Sequence, residues 1–150
     1  MIVIRKALLK DIAAIIDFQK RMAWETEKLT LNGATVTQGV KAIFQNPAHG
    51  QYFVSENDGT VIASLLITPE WSDWRNTEVW WFQSVYVLPE YRRSGIFRSM
   101  YAYVKEMAEK SDVAGLRLYV ETNNHIAQTT YESLGMTGDH YRMYEWLRDY

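Results

Sequence analysis

The residues best suited to chemistry gather between positions 82 and 98. An apolar run, Phe82-Gln83-Ser84-Val85-Tyr86-Val87, leads through Leu88-Pro89-Glu90-Tyr91 into Arg92-Arg93-Ser94-Gly95. Phe97, Met100, Tyr101, Val104 and Ala108 then recur at helical spacing. A strand turning directly into a helix presents the first free backbone N–H groups and the positive end of the dipole, which together bind anions. Gly95 permits close backbone approach, and Arg92 and Arg93 add charge beside it. This chemistry reads as a pyrophosphate cradle. On spacing alone, an ordinary strand–turn–helix with a Ser94 cap and solvated arginines fits equally well.

Other chemistries find little support. The chain has no cysteine, which removes disulfides, Cys-ligated zinc and any thiol nucleophile. It lacks the glycine-rich dinucleotide fingerprint, the P-loop, the serine nucleophile elbow and the zinc-binding helix motif. His49, His125 and His140 share no metal-ligand spacing, so no metal is expected.

The elements that must position the cradle follow from periodicity. Ile2–Arg5 reads as a strand, and Ile12, Ile15, Ile16 and Met22 place a helix over about 10–27. Asn32-Gly33 breaks the pattern, and a second helix over 36–45 stops at Asn46-Pro47. Gln51–Glu56 and Val61–Thr68 flank the turn Asn57-Asp58-Gly59 as a hairpin. Pro69–Thr77 reads as a polar loop, and Glu78–Leu88 as a strand buried on both faces. A helix over 94–110, a strand over 116–121, a helix over 124–134 and a strand over 140–147 complete the order. This predicts a mixed α/β layer fold in a single domain spanning 1–150.

Composition sets outer limits. At 150 residues, 47% hydrophobic and 23% charged, the chain can bury a core. A formal charge of −2 argues against a nucleic-acid partner. The longest apolar run, Val61–Ile67, falls far below the roughly 18 residues a membrane span needs. With no signal-peptide pattern either, the expected location is the cytoplasm. The 6 Trp, 10 Tyr and 5 Phe could fill a core or line a ligand pocket.

Two segments carry a family resemblance. Val85-Tyr86-Val87-Leu88-Pro89-Glu90-Tyr91-Arg92-Arg93-Ser94-Gly95-Ile96-Phe97 resembles motif A of the GNAT superfamily of N-acetyltransferases, Arg/Gln-x-x-Gly-x-Gly/Ala after a strand and turn. Asn124-x-x-Ala127-x-x-x-Tyr131-x-x-x-Gly135-Met136 resembles motif B. The resemblance implies a mostly antiparallel twisted sheet flanked by about four helices, and acetyl-CoA as donor. It implies that backbone groups of Val85, Tyr86 and Val87 pair with the pantetheine arm. Arg92, Arg93, Ser94, Gly95, Ile96, Phe97 and Arg98 would hold the pyrophosphate, Asn124 would contact the arm, and Tyr131 would face the thioester sulfur. Phe97 departs from the family's second Gly/Ala. Its place on the apolar stripe predicts a ring turned into the core.

A chain without thiols cannot form a cysteine acyl-enzyme, so direct transfer to an amine in a ternary complex is expected, with N–H groups near Val85 stabilising the oxyanion. Tyr131 is the candidate donor to the leaving sulfur. The chain is also similar to the spermidine/spermine N-acetyltransferase branch, which carries a glutamate where Gln83 stands. Glutamine cannot take a proton, so Glu25, Glu27 or Glu78, a water chain, or an amine arriving neutral would serve. Met22–Glu27 and Glu70–Trp74 mix carboxylates with indoles, a composition suited to a cationic amine. Glu25, Glu27, Trp71, Asp73 and Gln83 are the acceptor candidates, although the same segments could be solvated acidic loops. Two alternatives stay open: a non-catalytic acyl-CoA-binding module, and an acetyltransferase acting on protein or peptide amines. The resemblance also allows a homodimer.

Overall fold

The computed structural model describes residues 1–148, which divide into two compact units, one ending at Arg117 and one beginning at Leu118. The first holds strands β1 (Ile2–Lys6), β2 (Gln51–Asn57), β3 (Thr60–Ser72), β4 (Thr77–Val87) and β5 (Gly115–Arg117), with helices α1 (Ile12–Glu27), α2 (Gly33–Gln45) and α3 (Ile96–Lys110). The second holds helix α4 (His125–Ser133). The strands form one sheet in the order β1-β2-β3-β4-β5, antiparallel except for β4 with β5. This is the mixed α/β, mostly antiparallel architecture with four helices that the sequence predicts. Among the described residues no helix is long and apolar enough to cross a membrane.

Both faces of the sheet are covered. On one, Ile15 of α1 and Val40 of α2 pack with Ala7, Tyr52, Val54 and Leu66. On the other, Ile96, Met100, Val104 and Ala108 repeat every four residues along the buried side of α3. The Phe82 ring stacks on Tyr101 there, with centroids 5.5 Å apart. Asp58 and Gly59 both take positive φ between Asn57 and Thr60, the two-residue turn whose twist suits a tight hairpin.

The segment read as a polar loop, 69–77, is largely strand. Pro69↔Trp80, Trp71↔Glu78 and Ser72↔Thr77 continue the β3–β4 ladder and leave only residues 73–76 as a turn. Pro69 is tolerated because β2 pairs with β3 only up to Ile67, so β3 is an edge beyond that point. The strand expected over 116–121 is shorter, Gly115–Arg117. The strand expected over 140–147 does not form: residues 140–148 adopt no regular structure among the described residues. The aromatic alternation there is strand-like, but a strand exists only through a ladder with a neighbour. Tyr150 and Asp149 lie outside the described residues.

Candidate functional site

The centre of the first unit is an irregularity in β4. Ser64 pairs with Tyr86 and Leu66 with Gln83, so Leu65 alone on β3 faces Ser84 and Val85 on β4. Ser84 has φ 51°, a left-handed conformation inside a strand. This is a β-bulge, which drops one residue from the ladder and re-aims the side chains beyond it. Gln83 and Tyr86, three apart, would face opposite sides of a regular strand. Here both lie on the α1 face: Gln83 pairs with Leu66 of the α1–α2 core, and the Tyr86 ring meets Phe18 of α1 at 5.2 Å. Pairing of β4 with β5 covers only Val79–Trp81, so no strand ladder borders Phe82–Val87 on that side among the described residues.

Beyond β4 the chain passes Pro89–Tyr91 as a short 3-10 turn and enters α3 through two positive-φ residues, Arg93 (62°) and Gly95 (83°). Gly95 is the N-cap, and no side chain caps the helix. The Ser94 hydroxyl donates back to the Tyr91 carbonyl, so the Ser94 cap is not made. Space opens in front of the helix, since a Cβ added at Gly95 would meet no heavy atom within 4 Å. Arg93 is exposed there and makes no ion pair among the described residues. An uncapped helix start, open space and a spare guanidinium fit an anion. The Phe97 ring lies against Phe82 and Tyr101, at 6.2 and 6.3 Å, and leaves its backbone at the helix start. Ile96 is buried and Arg98 exposed in the same turn.

Arg92 behaves differently from Arg93. Its Nε donates to the Val87 carbonyl at 2.8 Å, one terminal nitrogen donates to Glu25 Oε2 at 2.8 Å, and the guanidinium lies 5.2 Å from the Tyr86 ring centroid. Glu25 Oε1 accepts from the Tyr86 hydroxyl, also at 2.8 Å. Partial desolvation alone would raise the Glu25 carboxyl, but the bonds from Arg92 and Tyr86 outweigh it and hold the group below its ordinary value. Burial, reinforced by the Glu25 carboxylate, pushes the Tyr86 hydroxyl up. An acceptor candidate and a cofactor candidate are therefore bonded to each other.

The remaining acceptor candidates separate. Gln83 Nε2 donates to Thr68 Oγ1 at 2.6 Å. Glu27 is exposed at the end of α1. Trp71 and Asp73 lie at the far end of the β3–β4 hairpin, with Trp71 opposite Glu78, five positions along β4 from Gln83 and thus roughly 17 Å away. The structure does not bring them to Gln83. Glu78 accepts from Trp80 Nε1 at 3.0 Å, at that same end. Trp24 is exposed, and Lys28 Nζ lies 5.4 Å from its ring centroid. It also lines a shallow cavity of about 300 Å³ with Lys20, Leu29, Leu31 and Gly33, at the junction of α1 and α2.

In the second unit, Asn124 Oδ1 accepts from the Ala127 N–H at 3.1 Å and caps α4. The helix ends at Gly135 (φ 90°), with Met136 N–H bonded to Tyr131 O and Gly135 N–H to Glu132 O. That C-terminal motif favours glycine at this position. Tyr131 is half-buried, and burial pushes its hydroxyl above the ordinary phenol value, so it remains a protonated donor at neutral pH.

A strand opened by a bulge and followed by an uncapped helix start with open space before it is a place suited to an anion. The acetyltransferase (GNAT) family model matches residues 9–136. The chain belongs to that family, whose members transfer an acetyl group from acetyl-CoA. Among solved structures, it is similar to a possible acetyltransferase from Clostridium difficile 630, at 42% identity and TM-score 0.91, covering 100% of this chain and 99% of that one. More distant likenesses show the fold. One is a predicted acetyltransferase with acetyl-CoA from Clostridium acetobutylicum, at 19% identity and TM-score 0.77, covering 97% and 96%. Another is AAC(6')-Iy in complex with a bisubstrate analogue, CoA-S-monomethyl-acetylneamine, at 16% identity and TM-score 0.81, covering 99% of each chain. No curated protein matches by sequence.

Proposed function

We propose that the chain acetylates the primary amine of a small cationic acceptor, using acetyl-CoA in a ternary complex. The observation that carries this reading is the bulge at Ser84 followed by the uncapped, open start of α3. Arg93 and the amides from Ser94 to Arg98 meet the pyrophosphate, while backbone groups of Val85 and Val87 meet the pantetheine arm. The amine nitrogen attacks the thioester carbonyl carbon, an N–H group near Val85 stabilises the oxyanion, and the carbon–sulfur bond then breaks. Tyr131 donates a hydrogen bond or proton to the departing thiolate, and Asn124 orients the helix that carries Tyr131.

No cysteine is available to carry the acetyl group, which supports direct transfer. Gln83 cannot act as base, and Glu25 is held ionised by Arg92 and Tyr86, which makes it a weak one. The amine proton therefore leaves to water, or the amine arrives neutral. What supports a cationic acceptor is the mixture of carboxylates and indoles in Met22–Glu27 and Glu70–Trp74, with Trp24 exposed.

The test is release of free CoA thiol from acetyl-CoA across a panel of monoamines, diamines, aminoglycosides and lysine peptides. Diamines should give the highest kcat/KM. Preferential turnover of peptides would transfer the reading to protein amines. Tight CoA binding with no thiol released by any amine would leave a binding module.

A further inference from the structure

Glu25 was a candidate for holding the amine, yet its bonds run the other way. Both of its oxygens are used, one by the Tyr86 hydroxyl and one by Arg92. Arg92 in turn is tied to the Val87 carbonyl and rests over the Tyr86 ring, and that ring packs on Phe18 of α1. One carboxylate thus joins three pieces: the last turns of α1, the end of β4 and the loop that leads into α3. Two of the guanidinium's N–H directions are committed to protein oxygens, which fixes the side chain at the mouth of the loop. Arg93, next in sequence, has positive φ and no such tie among the described residues.

The geometry points to Glu25 as a positioning residue for the anion cradle, acting through Arg92 and Tyr86 to set the loop from Leu88 to Gly95, with Arg93 left to meet the phosphate. This rests on the acetyl-CoA reading above. A loop whose backbone amides must converge on an anion binds best when it is already in shape, because ordering it on binding costs affinity. Loss of this tie would therefore appear on the donor side of the reaction and leave the amine's own binding in place.

The experiment is a calorimetric titration of the full chain with CoA alone, comparing the parent with Glu25→Gln, Arg92→Gln and the double variant. Steady-state KM values for acetyl-CoA and for a diamine are measured in parallel. Glu25→Gln should weaken CoA about fivefold, the upper range for an ion pair of this exposure. The double variant should bind CoA no more weakly than Arg92→Gln, since both changes remove the same link. KM for acetyl-CoA should rise and KM for the diamine should not. Tyr86→Phe, which keeps the ring under Arg92, should give a smaller loss.

Unchanged CoA affinity in Glu25→Gln would overturn the assignment. So would tighter binding, which would mean that Glu25 restrains Arg92 from the phosphates. Losses that multiply in the double variant, or a rise confined to the diamine KM, would equally overturn it. Because CoA binding is read without an acceptor, a parent that binds CoA and shows these effects but acetylates nothing would sink the acetyltransfer reading alone. A parent that does not bind CoA would sink both.

Discussion

At the residue scale the proposed reaction rests on one phenol, Tyr131, and on a chain without cysteine. Tyr131 must keep its proton until the thiolate leaves, and burial raises its pKa above the usual phenol value of 10.0. A group whose pKa is raised stays protonated at every pH below its unperturbed value. The parent's kcat should therefore show no alkaline loss below pH 10 from this residue. Tyr131→Phe should lower kcat about tenfold or more while CoA affinity stays within twofold, measured by thiol release and by titration. A mutant as fast as the parent across pH would assign the leaving sulfur to another donor. Phe97 was legible from sequence, since its place on an apolar stripe predicted a ring turned inward, and the ring contacts Phe82 and Tyr101. The Glu25–Arg92 bond was not legible. The partners are 67 positions apart, and no local pattern encodes a contact between separate elements.

At the scale of elements, the proposed site depends on β4 being broken at one residue. Ser84 holds φ 51° without being glycine, a conformation that costs L-residues roughly 1–2 kcal/mol. Ser84→Gly should preserve or slightly raise stability and keep activity. Ser84→Val, β-branched at a positive φ, should lower stability by about 2 kcal/mol in urea titrations and reduce activity with it. The apolar run from 78 to 88 announced the strand, but a serine gives no sign of a bulge, and so the sequence could not show that Gln83 and Tyr86 share a face. At the other end of the sheet, Arg5 holds Asp11 through two bonds, of 2.7 and 3.0 Å, and Glu56 Oε2 through two more, of 2.7 and 3.1 Å. Asp11 is 3% exposed. Burial would raise its carboxyl, but the Arg5 guanidinium and the Leu8 N–H outweigh that and hold it below the usual carboxylate value. A depressed pKa contributes stability that is present above the unfolded value and is lost as pH falls through the folded one. Asp11→Asn should cost about 3 kcal/mol at neutral pH and flatten the acid side of the stability profile below pH 4.

Across the whole molecule, the element order from β1 to α4, the hairpin at Asp58-Gly59 and the buried stripe of α3 were readable because each rests on local periodicity or turn chemistry. The length of β3, the shortness of β5 and the state of residues 140–148 were not, since strand ends are set by which neighbour supplies a ladder. Tyr52 tests the core as a unit. It is buried beneath α2, and burial pushes its hydroxyl up to about 12. A raised pKa gives stability that is intact below the unfolded value of 10.0 and is lost as pH climbs toward 12. Tyr52→Phe should therefore melt at a less pH-dependent temperature than the parent between pH 10 and pH 12, in thermal scans followed by circular dichroism. Identical alkaline slopes would show that other groups govern that limb.

The proposed reaction is direct acetyl transfer from acetyl-CoA to an amine. Its most direct test is incubation of the protein with acetyl-CoA labelled in the acetyl group and a diamine, with mass spectrometry of both the small molecules and the intact chain. The label should appear on one nitrogen of the diamine, with none covalently retained by the protein. Label fixed on the chain as an obligatory intermediate, or an unlabelled diamine with CoA bound, would contradict it.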